Sequence, residues 1–163
     1  MIFLGIDLGL TGALACLDAE GKLLWLHDMP TTTIRIGKRQ RGAYDVARLW
    51  TLFSRPIQNN VQADVVLVVE DIYHLGFRGA LAARAAGIGW GMVTLYSQVS
   101  GWPLLAVAPR QWQRVMLAGR AKGKGASRAR AAELFPWADL GGRKDEGRAE
   151  ALLLAEYGRR QRA

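Results

Sequence analysis

Apolar positions dominate the opening of the chain, Met1-Ile2-Phe3-Leu4-Gly5-Ile6-Asp7-Leu8-Gly9-Leu10-Thr11-Gly12-Ala13-Leu14-Ala15-Cys16-Leu17, where Asp7 is the only charge. A carboxylate inside a strand-like run is costly to bury unless it is paired or holds a metal. Gly9 and Gly12 bracket Thr11 and mark a tight reversal. Residues 2–8 and 12–18 are therefore predicted strands. The turn cluster Asp18-Ala19-Glu20-Gly21 leads to a third strand at 22–28, with Leu23-Leu24-Trp25-Leu26 as its apolar run and Met29-Pro30 as its end. Residues 31–43 mix Thr and Gly with Arg35, Lys38, Arg39 and Arg41. This stretch reads as a loop or ragged hairpin, flexible and basic, suited to touching a phosphate backbone.

The period then changes. Val46, Leu49, Trp50 and Phe53 recur at helical spacing and predict a helix from Tyr44 to about Gln58. Ala63-Asp64-Val65-Val66-Leu67-Val68-Val69 is a β-branched run, typical of a strand buried on both faces, and it ends at Glu70-Asp71. Residues 74–79 are a loop and 80–100 a long helix. The helix carries Gly87, Gly89 and Gly91, each costing roughly 1 kcal/mol relative to alanine. Close approach of another backbone explains them, either the sheet or a second subunit. A short strand follows at 102–107, then a helix opening on Pro109, a glycine-basic loop over 119–125, and a helix over 127–134 with Ser127 as candidate N-cap. Phe135-Pro136 stops that helix, and a last one spans about 146–160. The order predicts one α/β domain over residues 1–163. Its five-stranded mixed sheet has a three-strand antiparallel meander plus parallel strands, flanked by helices.

Charge changes the picture most. The formal net charge is +8. From Ile72 to Ala132 there is no acid, while Arg78, Arg84, Arg110, Arg114, Arg120, Lys122, Lys124, Arg128 and Arg130 fall in that window. Cations without counter-charges repel one another unless a polyanion lies across them. Nucleic acid is the expected partner, since no lipidation motif or basic amphipathic anchor supports a membrane surface. A single cysteine excludes a disulfide framework, and no signal peptide or spanning segment is evident, so an intracellular setting is expected.

Acids cluster in three places: Asp7, Glu70 with Asp71, and Asp145, Glu146 and Glu150. Glu146 and Glu150 are four apart and share a helix face. Asp145 falls where a helix cap belongs. Carboxylates from two strands and a helix meeting at one edge suit a pair of hard divalent cations, as in two-metal phosphoryl displacement. With the basic flank, they indicate a metal-dependent nuclease.

Gly5-Ile6-Asp7-Leu8-Gly9-Leu10-Thr11-Gly12, Val68-Val69-Glu70, Pro109-Arg110-Gln111-Trp112 and Lys144-Asp145-Glu146-Gly147-Arg148-Ala149-Glu150-Ala151-Leu152 resemble the RuvC-type Holliday junction resolvases of the ribonuclease H-like superfamily, the shorter phage-type members above all. The resemblance runs through nearly the whole chain in order. It implies a ribonuclease H-like fold, a homodimer using the helix at 80–100, two Mg²⁺ (or Mn²⁺) per site, and paired symmetrical nicks in four-way DNA junctions. It implies Asp7, Glu70 and Glu150 as catalytic metal ligands. In the bacterial pattern a fourth ligand stands three residues before the last carboxylate, where this chain has Gly147, so Asp145 is favoured in that role with Glu146 as substitute. Tyr73, three residues past Glu70, takes the place of an aromatic wedge at the crossover. Arg78, Lys122, Lys124, Lys38 and Arg39 are expected on DNA. A ribonuclease H, a transposase-type nuclease and an inactive nucleic-acid-binding module share these features in part. Gly-Ile-Asp-x-Gly-x-Thr also resembles the phosphate turn of actin-like ATPases, which need two such domains.

Overall fold

The computed structural model describes residues 1–59, 64–74, 76, 79–119, 125–142 and 145–162. Three strands form the meander, β1 (Ile2–Asp7), β2 (Ala13–Asp18) and β3 (Leu23–Asp28). The chain then makes β4 (Thr31–Ile36), β5 (Arg39–Tyr44), helix α1 (Val46–Asn59), strand β6 (Val65–Glu70), helix α2 (Ala80–Ser100) and strand β7 (Leu104–Val107). Helices α3 (Pro109–Met116), α4 (Ala126–Leu134) and α5 (Glu146–Arg162) complete it. The main sheet has the order β3-β2-β1-β6-β7. The pairs β1/β2 and β2/β3 are antiparallel, while β1/β6 and β6/β7 are parallel. This is the mixed five-stranded sheet expected from the sequence.

Side-chain alternation sorts the sheet into two faces. Ile2, Leu4, Ile6, Val65, Leu67 and Val69 point into a core beneath α1 and α2. Phe3, Val66 and Val68 point the other way, into a core built around α3, α4 and α5. Asp7 and Glu70 continue this second set by the same period of two. Both carboxylates thus reach the end of their strands on the face covered by α5.

Helix α5 is buried all round over residues 151–158, so its apolar surface is far wider than the stripe of Ala149, Leu152, Leu153 and Tyr157 suggests. It crosses β1 at Gly5, where a Cβ would overlap the Ala151 carbonyl oxygen and stand 2.5 Å from the Ala155 nitrogen. Glu156, on the same helix, is buried but carries two arginines, Arg159 and Arg160, each at 2.7 Å.

Residues 31–43 are a regular hairpin, β4 with β5, separate from the main sheet. It turns at Gly37-Lys38, with Gly37 at φ +59°. Its last residue, Tyr44, donates its hydroxyl to the Ala85 carbonyl of α2 at 2.9 Å. Ser127 is not the N-cap of α4. Gly125, at φ +87°, takes that position without a side-chain cap, and Ser127 lies buried inside the helix.

Of the glycines of α2, Gly89 alone has a close neighbour within the described residues, and it is a pair of side chains rather than the backbone of the sheet. Gly89 packs inward, where a Cβ would stand 2.7 Å from the Tyr44 hydroxyl. Gly87 and Gly91 face open space, beside the exposed side chains of Ile88 and Leu95. Cys16 is a buried core thiol, as expected, and burial pushes it up to about 12. Among the described residues no helix is long and apolar enough to cross a membrane.

Candidate functional site

The parallel pairing of β1 with β6 sets Ile6 beside Val69, so the next residue of each strand, Asp7 and Glu70, leaves the sheet at the same edge. Helix α5 lies over that edge with Glu150 one turn in from its start. Gly147 makes the approach possible. A Cβ there would stand 2.9 Å from an Asp7 carboxylate oxygen, 2.8 Å from the Thr11 carbonyl and 3.0 Å from the Gly12 Cα. The residue that departs from the bacterial pattern is thus the one on which α5 seats against Asp7.

These elements enclose a cleft of about 590 Å³ lined by Asp7, Asp28, Asp145, Glu146 and Glu150, with Gly147 at its back. Glu70 borders the same edge. Burial holds the Asp7 carboxyl well above the usual carboxylate range, and the charges of Glu150 and Glu70 push it further. Glu70 is raised mainly by burial, against which the Trp112 indole acts. Glu150 reaches about 7 through burial and then the charges of Glu70 and Glu146, opposed by a hydrogen bond from Ser127. Among the described residues no lysine or arginine pairs with any of the three.

Asp145 and Glu146 have different surroundings. The Asp145 carboxylate accepts a hydrogen bond from the Gly142 backbone N–H and closes the turn before α5. Its charge is felt by Arg148, whereas the charge of Glu146 bears on Glu150. Arg148 is a tether, donating to Asp28 at 2.6 and 3.1 Å and to the Asp139 carboxylate at 3.2 Å. It joins the start of α5 to the end of β3.

The donor set suits a hard divalent cation: carboxylate oxygens from three elements, each held above its normal pKa chiefly by burial. Among the described residues, no three such side chains close on one point as they stand. A cation between these carboxylates would offset their mutual repulsion.

The stability of the metal-free protein follows from the same charges. Glu150 is protonated in the folded state up to about 7, against 4.5 for the free group. Its contribution is therefore full below about pH 4.5 and is lost as the pH rises toward about 7, a change of order 3 kcal/mol. Thermal melts in chelator from pH 4.5 to 7.5 should show a falling melting temperature, and Glu150→Gln should reduce that slope.

Tyr73 stands on a short 3-10 turn at Ile72–His74, directly after β6. It is 82 % exposed, with its ring edge-on to Trp90 at 6.2 Å. Lys38 and Arg39 are exposed at the tip of the β4–β5 hairpin. Arg78, Lys122 and Lys124 lie outside the described residues.

No protein-family model matches this sequence, and no curated protein matches it either. Solved structures do match. The Thermus thermophilus RuvC structure superimposes with a TM-score of 0.62 at 17 % identity, covering 99 % of this chain and 96 % of that one. The same protein in complex with a Holliday junction substrate gives a TM-score of 0.59 at 16 % identity, over 96 % and 92 %. The fold is that of RuvC. On this RuvC fold the three acids singled out by motif, Asp7, Glu70 and Glu150, meet at one sheet edge.

Sequence reasoning missed the neutral groups of the site. Trp112, fully buried, donates its indole N–H to Glu70 Oε1 at 2.6 Å. Ser127 serves Glu150 from α4. The spacing of Pro109, Trp112 and Ser127 was visible, but neither contact is local: Trp112 and Glu70 are 42 residues apart.

Proposed function

We propose that the protein is a divalent-metal-dependent DNA endonuclease that cuts four-way junctions by paired nicks. The observation that carries this reading is that Asp7, Glu70 and Glu150, from two strands and a helix, lie at one sheet edge of a RuvC fold, close enough to act on one another's charge and uncompensated by any described cation. Asp7, Glu70 and Glu150 would hold Mg²⁺ or Mn²⁺, two ions per site, with Asp145 or Glu146 completing the set. When bound, such ions supply a water acidified enough to attack and a charge that stabilises the leaving oxygen.

The chain's own groups do the rest. Asp7, fixed on the central strand, sets the depth to which a scissile phosphate can enter the cleft. Glu70 and Glu150 flank it from either side. Lys38 and Arg39 on the hairpin tip, with Arg78, Lys122 and Lys124, bind phosphates without reading bases. Tyr73, exposed beyond Glu70, stacks on a base left unpaired at the crossover. Two such sites are needed for paired nicks. The outward face of α2, with Gly87 and Gly91 open between Ile88 and Leu95, supports a homodimer about that helix.

The test is cleavage of a synthetic four-way junction with Mg²⁺, alongside a linear duplex and an RNA–DNA hybrid. Symmetrical nicks in the junction alone, abolished by chelator, are the expected result, with both nicks made before the substrate is released. Single nicks released as intact junctions would remove the dimer from the reading. Preferential hydrolysis of the hybrid would replace the resolvase by a ribonuclease H, and binding without cutting would leave an inactive module.

A further inference from the structure

Pro109-Arg110-Gln111-Trp112 has no part in the function proposed above, yet it ends in the site. Pro109 opens α3 at a position where its missing N–H costs nothing. One turn later Trp112 is carried beneath the edge of the sheet, fully buried, with its indole N–H 2.6 Å from Glu70 Oε1. Indole has a single hydrogen to donate and accepts none. A carboxylate acceptor makes this a strong, short bond.

The choice of donor matters more than its presence. A lysine or arginine in this place would neutralise Glu70 and compete with a cation for it. A neutral donor fixes one carboxylate oxygen and leaves the other, with the full charge, available to a cation. At Glu150 too the group that opposes the rise of the carboxyl pKa is neutral, the buried Ser127. Asp7, between them, is held by its strand and by the backbone of Gly12 and Gly147 around it. Glu70 thus has one uncharged, buried donor, supplied by the helix α3. Aromatic N–H groups in cores commonly bond to a backbone carbonyl; this one reaches a carboxylate at the site.

We propose that Trp112 is a positioning residue, orienting Glu70 for a divalent cation. The inference rests on the metal-site reading above and adds one residue to which the resemblance gives no role. Groups that orient metal ligands from behind change metal affinity by about 10–100-fold when removed.

The experiment uses the full chain labelled with ¹⁵N at the indole nitrogens of its six tryptophans. Trp112→Phe identifies the Trp112 resonance by its loss. That resonance should move on titration with Mg²⁺ and again in Glu70→Gln, while the other indole signals stay in place. By calorimetry, Trp112→Phe should weaken Mg²⁺ binding about 10–100-fold, and in the Glu70→Gln background the same change should have little further effect. If Trp112→Phe does not fold, the wild-type titration and Glu70→Gln decide alone. A Trp112 indole signal indifferent to both Mg²⁺ and Glu70→Gln overturns the proposal, as does unchanged Mg²⁺ affinity in a folded Trp112→Phe. Failure of the resolvase reading looks different: Mg²⁺ binding remains dependent on Trp112 while junctions are not cut. A wild-type protein that binds no Mg²⁺ overturns both.

Discussion

Asp7→Asn should abolish junction cleavage, by about 10³-fold or more, while making the metal-free protein more stable. The first effect follows from position. Asp7 lies between Glu70 and Glu150 and is the acid against which both of the others act. Losing a group of this kind, aimed at charge that develops during reaction, costs at least two to three orders of magnitude. The second effect has the same origin. Burial and two like charges hold the Asp7 carboxyl well above its ordinary range, so its ionised form opposes folding. Asparagine keeps the shape and removes the charge. Each kcal/mol so relieved raises the melting temperature of a domain this size by about 2–4 °C. Gel assays of nicking and calorimetric melts in chelator measure the two sides. A variant that loses both activity and stability would mean that Asp7 is a structural residue.

Gly5→Ala should be the most damaging single methyl group that can be added to the sheet. The new Cβ would overlap the Ala151 carbonyl oxygen, stand 2.5 Å from the Ala155 nitrogen and 2.9 Å from the Ala155 Cβ. Two of these three are backbone atoms of a buried helix that cannot rotate away. Relief requires α5 to lift from β1, which opens a core containing Phe3, Trp112 and Leu152. Loss of about 4 kcal/mol or more is expected, at the extreme of what single substitutions cause. Denaturant unfolding measures it; a loss below about 1 kcal/mol would show that α5 moves more freely than its packing implies.

The sequence made some of this visible and hid the rest for physical reasons. Asp7 stood out because a lone charge in an apolar strand needs a purpose. Glu70 did so because it ends a run buried on both faces. Both signals are local, and both residues lie at one sheet edge. The hairpin over 31–43 was only half legible. Its charges suggested a loop, while Thr31 to Thr33 and the alternation of Ile34 with Ile36 favour a strand. Ser127 followed the capping rule on paper, but Gly125 in the left-handed region begins α4 instead. The hydroxyl was then available to Glu150, 23 residues on in sequence. Trp112 looked like a core residue and is one. Only the approach of α3 to the end of β6 makes its N–H part of the site. The cost of a side chain at Gly147 is equally invisible until α5 is laid against Asp7.

The seating of α5 on β1 also has a kinetic side. Gly5 and Asp7 meet Ala151 and Gly147 across nearly the whole length of the chain. Contacts of such wide sequence separation require closing a long loop before they return any energy, and they slow folding accordingly. The acidic cleft is complete only when α5 is docked on β1. A molecule in which α5 has not docked lacks Glu150 at the sheet edge and the lid over its second core together. On the proposed function, cleavage would then require a completely folded chain.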